Sequence, residues 1–159
     1  MTTFMLFIML ASSIFAQSKN DFSHLKQYGG DYYSDQVLDD AKLNPILKKM
    51  MGKEYKHLRD NLSVTGAVDV ISGDLVIQGN ADHKGGEEMA IFDINLPSGI
   101  MRAAILSKGK ITIYCSKEND EYFKSTDFDS LPYSIKTWVA VVNYGLEKML
   151  QKPGNVVMK

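Results

Sequence analysis

The sequence predicts an α+β domain, and three observations lead there. Apolar residues between Leu38 and Leu62 recur at helical spacing. Between Val64 and Cys115 the apolar residues fall in short strand-like runs, cut by turns rich in Gly, Ser and Pro. A last helical pattern begins at Leu131. Helices first, then a five-stranded antiparallel meander, then a C-terminal helix packed on the sheet is an α+β order, with helices covering one sheet face.

Each element has its own signal. Ser34 reads as the N-cap of a short helix through Val37, Leu38 and Ala41. Asn44-Pro45 reads as a restart, with Asn capping and Pro at the first helical position, where its missing N–H is harmless. Ile46, Leu47, Met50 and Met51 supply the apolar face, and Gly52 ends the segment. Lys53 to Leu62 forms a further helix with Tyr55, Leu58 and Leu62 on one side.

The period then changes to two. The expected strands are an extended run from Val64 to Ile71, then Leu75–Gly79, Met89–Ile94, Ile100–Leu106 and Lys110–Cys115. Turns at Ser72-Gly73-Asp74, Leu96-Pro97-Ser98-Gly99 and Ser107-Lys108-Gly109 are short enough to pair neighbours antiparallel. A polar stretch, Ser116 to Ser130, loops out. The closing helix runs from Leu131-Pro132 through Ile135, Trp138, Val139, Val142, Leu146, Met149 and Leu150, and Pro153-Gly154 ends it before a short tail.

The N-terminus points to export. Residues 1–16 carry no charge, hold an apolar core from Phe4 to Leu10, and end at Ala16 before Gln17-Ser18-Lys19. That core is far below the roughly 20 residues of a membrane span. The expected organisation is a signal peptide over 1–16, a loosely ordered lead over 17–33 and one domain over 34–159, in a periplasmic or secreted protein.

Composition excludes several function classes. With 18 basic and 19 acidic residues the net charge is −1, which offers no footprint for nucleic acid. The single cysteine, Cys115, rules out an internal disulfide, and its place in an apolar run reads as a buried, inert thiol. No nucleophile elbow, zinc-protease motif or phosphate-binding glycine loop is present. No cofactor or metal site is expected, and His24 and His57 read as solvated. Tyr32, Tyr33, Tyr133 and Tyr144 are candidates for a homodimer surface, although core and rim positions on the helices explain them more simply.

One segment stands out. Gly79-Asn80-Ala81-Asp82-His83-Lys84-Gly85-Gly86-Glu87-Glu88 joins two strands, and its glycines permit the positive φ values of a tight protruding loop. Its Asp82-His83-Lys84 tip has no apolar residue to draw it inward, and binding residues concentrate on loops held by a rigid sheet. An imidazole both donates and accepts hydrogen bonds, so it suits insertion between carboxylates. A solvated hairpin connection is the plain alternative. Acid–base catalysis by His83 with Glu87 or Glu88 is a weaker one, because a Glu pair beside Gly-Gly reads as a solvated strand entrance.

The order of elements and this loop resemble the periplasmic inhibitor of vertebrate lysozyme (Ivy) family from Leu38 to Trp138. The family's loop is a C-x-x-H-x-C motif, usually C-K-P-H-D-C, closed by a disulfide and inserted into a lysozyme active site. The same frame here is Asn80-Ala81-Asp82-His83-Lys84-Gly85. The His matches, both cysteines are replaced, and Lys84 stands where the family has an acid. Glu88 to Phe92 resembles the family's next strand, and Leu131-Pro132 to Trp138 its C-terminal part. The resemblance implies a non-catalytic protein that presents Asn80, Asp82, His83, Lys84 and Gly85 to a lysozyme or another wall-cleaving glycosidase. Without the disulfide, glycine turns and bonds from Asn80 or Asp82 to backbone amides would order the loop. The missing cysteines also keep open a different envelope partner or a toxin.

Overall fold

Among the described residues the sheet has seven strands, not five: β1 (Val64–Thr65), β2 (Asp69–Ile71), β3 (Asp74–Asn80), β4 (Met89–Asn95), β5 (Met101–Ser107), β6 (Lys110–Cys115) and β7 (Val156–Met158). Their order is β1-β3-β4-β5-β6-β7, with β2 also paired to β3. The computed structural model describes residues 20–116, 127–143 and 152–159. The proposed signal segment, Tyr144, and the expected helical residues Leu146, Met149 and Leu150 lie outside them.

The extra strands have simple causes. β1 and β2 are the two ends of the expected 64–71 run, and both lie antiparallel on β3. Between them Val68 leaves the ladder to bond the backbone elsewhere: its N–H donates to Asp31 O at 2.8 Å and its carbonyl accepts from Gly30 N at 2.8 Å. β7 comes from the segment read as a tail, and it adds to β6 in parallel, Thr112 opposite Val157. The β2–β3 and β5–β6 hairpins close through two residues each. Both have positive φ, 53° and 94° at Ser72 and Gly73, 50° and 70° at Lys108 and Gly109. That geometry matches the right-handed twist of the strands it joins.

The helices are α1 (Ser34–Leu38), α2 (Leu43–Met51), α3 (Tyr55–Asp60) and α4 (Tyr133–Val142), preceded by a 3₁₀ turn over Ser23–Tyr28. The expected caps are displaced. Ser34 lies inside α1 and its Oγ pairs with Thr65 Oγ1 at 3.0 Å. Asp40, not Asn44, caps α2: its Oδ1 accepts from the N–H groups of Lys42 and Leu43 at 3.0 and 2.9 Å. Asn44 instead donates to Leu38 O and Tyr55 Oη, tying three helices together. Gly52 ends α2 as expected, with φ 55°.

Helices cover both sheet faces, which corrects the single covered face expected from sequence. Leu75, Ile77, Phe92, Ile94, Ala103 and Ile105 point to one face, under α1, α2 and α3. Val76, Ile91, Ala104, Leu106 and Ile113 point to the other, where Ile135, Trp138 and Val139 of α4 cover them. Strands buried on both sides are apolar almost throughout rather than alternating, and β4 and β5 are of this kind. Residues 20–31, expected within a loose lead, contribute Phe22 and Leu25 to the first core, both fully buried. Tyr32, Tyr33 and Tyr133 are exposed and belong to neither core. Cys115 is buried among apolar side chains, and burial raises its thiol pKa, as an inert cysteine requires. Among the described residues no helix is long and apolar enough to cross a membrane.

Candidate functional site

β3 and β4 pair without interruption from Asp74 opposite Asn95 to Asn80 opposite Met89. The connection beyond that last pair is the segment singled out above. One further rung, Ala81 N–H to Glu88 O at 3.0 Å, carries the ladder into it. The remaining bonds turn on Lys84: its N–H donates to Ala81 O at 3.0 Å, and its carbonyl accepts from the N–H groups of Glu87 and Glu88 at 3.1 and 3.0 Å. The loop is therefore two successive turns sharing one residue, Lys84.

His83 sits at the apex of the first turn with φ 55°. A positive φ at a residue with a Cβ is uncommon. Gly86 supplies the other, at 89°. Gly79 and Gly85 do not use their freedom in this way. Gly79 is needed for space, because a Cβ there would strike the Val64 carbonyl. The apex side chains point to solvent: His83 is 93% exposed and Asp82 73%, with Nε2 3.5 Å from Asp82 Oδ1. Asn80 bonds opposite to expectation, donating to Ala81 O at 2.8 Å rather than accepting from an amide.

The foot of the loop is anchored through Glu88 and His57, both expected to be solvated. Glu88 turns inward, where its Oε1 accepts from Ser107 Oγ at 2.7 Å and its Oε2 lies 2.8 Å from His57 Nε2. Asn61, buried at the end of α3, donates to Glu88 Oε2, Met89 O and Leu106 O. Burial pushes the Glu88 carboxyl pKa up, but the bonds from His57, Ser107 and Asn61 outweigh it and hold it below the ordinary value. His57 also approaches Glu54 at 3.4 Å, so it bridges two carboxylates. The other histidine read as solvated, His24, lies 2.9 Å from Asp40 and is half exposed. A signal for Glu88 was present: it directly precedes a buried strand, where side chains start to alternate between two covered faces.

At the neck of the loop, a Cβ placed on Gly85 would lie 3.8 Å from Asn80 Cγ, so the two positions that replace the cysteines of the resembled motif face each other. A family model described as inhibitor of vertebrate lysozyme (Ivy) matches residues 42–141, well over half of the chain.

This chain belongs to the inhibitor of vertebrate lysozyme family.

The Ivy match spans α2, α3, β1 to β6 and nearly all of α4, so the loop lies well inside it. No curated protein and no solved structure matches the chain. Glu88 does not pair with the apex as acid and base, because its carboxylate is held at the foot by α3 and β5. Among the described residues no group of three His, Cys, Asp or Glu side chains is placed to hold a metal ion.

Proposed function

We propose that this chain is an exported, non-catalytic inhibitor that inserts the His83 loop into the cleft of a lysozyme or another wall-cleaving glycosidase. Membership of the Ivy family supports the inhibitory class. The observation that carries the reading is the exposure of His83 at the tip of a loop anchored at its foot by Glu88. Such clefts work through two carboxylates flanking the scissile bond. An imidazole between them can hydrogen-bond both, and when protonated its bonds are charge-assisted. Lys84, adjacent, adds positive charge towards an acidic cleft. The loop's own bonds through Lys84 replace a covalent clamp, so less order is lost on insertion.

Inhibition assays against animal lysozymes, goose-type lysozymes and bacterial lytic transglycosylases test the proposal. Dose-dependent inhibition of at least one class is expected, and inactivity against all three would remove it. A second reading, binding a different envelope protein or a toxin, is favoured by one specific observation. Asn80 and Gly85 stand where the resembled motif has its disulfide. Co-purification with an envelope component, with no glycosidase inhibited, would select that reading.

A further inference from the structure

A second polar constellation lies at the other end of the sheet. Asp93 on β4 and Arg102 on β5 are cross-strand partners, both almost fully buried, on the face that α4 covers. Each is a lone charge in an apolar strand. Asp74, at the start of β3, sits diagonally from Asp93 on the same face and accepts from Asn95 Nδ2 at 2.8 Å. With Ser98 and Pro132 these residues line a cavity of about 370 Å³, inside the range of small-molecule sites.

A structural ion pair buried in this way would close, because two desolvated charges recover their hydration only in direct contact. This one does not. Asp93 accepts instead from Ser134 Oγ of α4. Arg102 donates from Nη1 to Met101 O at 2.9 Å, which leaves Nε and Nη2 without a partner among the described residues. Those nitrogens are not sealed in the core, unlike Trp138 Nε1. Arg102 lines the cavity, and these nitrogens are two donors in the fork that fits a carboxylate. Across from them stand two carboxylates with acceptor capacity to spare. Charges of both signs line one cavity with no ion pair joining them among the described residues, which is the arrangement a ligand carrying both signs would complete.

We propose that this cavity binds a small α-amino-acid-type zwitterion, a free amino acid or a dipeptide, with its carboxylate on Arg102 and its ammonium between Asp93 and Asp74. A carboxylate alone would meet two like charges, and an amine alone would leave the guanidinium fork unfilled. Only a ligand bearing both groups satisfies the three side chains together. The site shares no residue with the His83 loop, so it is independent of the inhibitory reading.

Chemical-shift titration of the full chain with alanine and with alanyl-alanine tests this, alongside N-acetylated and C-amidated alanyl-alanine and sodium acetate. Saturable shifts at the amides of Asp74, Asp93 and Arg102 are expected, with affinity reduced at least about tenfold when either ligand terminus is blocked. Arg102→Met abolishes binding. Should that variant fail to fold, Asp74→Asn, at a partly exposed position, decides, and its affinity must fall. No saturable shift at these residues, equal shifts from acetate, or unchanged affinity in Asp74→Asn overturns the proposal.

Discussion

His57 Nε2 lies 2.8 Å from Glu88 Oε2, joining α3 to the foot of the loop that carries His83. The contact matters because Glu88 is the last loop residue before a strand buried on both faces, so fixing its side chain fixes where the loop emerges. Glu88→Ala removes the acceptor of three partners, His57, Asn61 and Ser107. Unfolding by denaturant should show a loss of about 2 kcal/mol. Hydrogen exchange at Ala81 and Glu88, whose N–H groups close the loop, should accelerate beyond that global loss. Protection unchanged in the variant would mean that the loop orders itself.

Asp93 predicts an unusual pH response. Burial raises its carboxyl pKa to about 6, more than the Ser134 bond lowers it, and the Asp74 charge adds to the rise. A carboxyl whose folded pKa is raised contributes stability fully present below its unfolded value of 3.8 and lost as pH rises through about 6. That difference is worth about 3 kcal/mol. Glu88, Asp39 and Asp40 have lowered values and act oppositely, their stabilisation lost as pH falls below the ordinary carboxylate range. Thermal melts should thus peak near about pH 5 and decline towards about pH 7.5. Asp93→Asn should flatten that decline, and a variant that kept the full slope would place its origin elsewhere.

Asn80 faces Gly85, its Cγ 3.8 Å from where a Cβ on Gly85 would lie. The double variant Asn80→Cys, Gly85→Cys should form a disulfide in air, leaving Cys115 buried and unmodified. For so short a closed segment the expected stabilisation is about 2 kcal/mol. It is read as the difference in denaturation midpoint between oxidised and reduced protein. If the loop is the inhibitory element, oxidation should also tighten inhibition. Two free thiols after oxidation would show that the neck is wider than described.

Two loop glycines should respond differently to the same change. A Cβ at Gly79 would collide with the Val64 carbonyl and the Thr65 side chain, so Gly79→Ala must push β1 off β3. A loss above about 2 kcal/mol is expected. Gly85→Ala meets ordinary contact distances and no positive φ, so its effect should stay within about 0.5 kcal/mol. Equal effects would contradict the close approach of β1.

Much of the fold was legible because its signals are local. The strand runs, the Ser72-Gly73 and Lys108-Gly109 turns and the Gly52 stop depend on neighbours in sequence. What was missed depends on distant partners. Val68 leaves the ladder because the backbone at Gly30 and Asp31 competes for it, and β7 forms only because the edge of β6 is open. The cap of α2 moved to Asp40 because Asn44 is drawn to Tyr55. In the site, the exposed tip at His83 followed from its composition and its glycines. The inward turn of Glu88 and the placement of His57 did not, since both rest on contacts 31 residues apart. Asp93 and Arg102 left a trace, a single charge in each of two apolar strands.

The proposed inhibitory group is the exposed imidazole of His83. Its test compares inhibition constants of the unmodified protein, His83→Asn and His83→Ala against whichever glycosidase is inhibited. Asn tolerates a positive φ, so His83→Asn should keep the loop and hold stability within about 0.5 kcal/mol. Inhibition should be at least about tenfold weaker in both variants, with melting unchanged in His83→Asn. Full inhibition by both variants would contradict it and move the binding surface away from the loop.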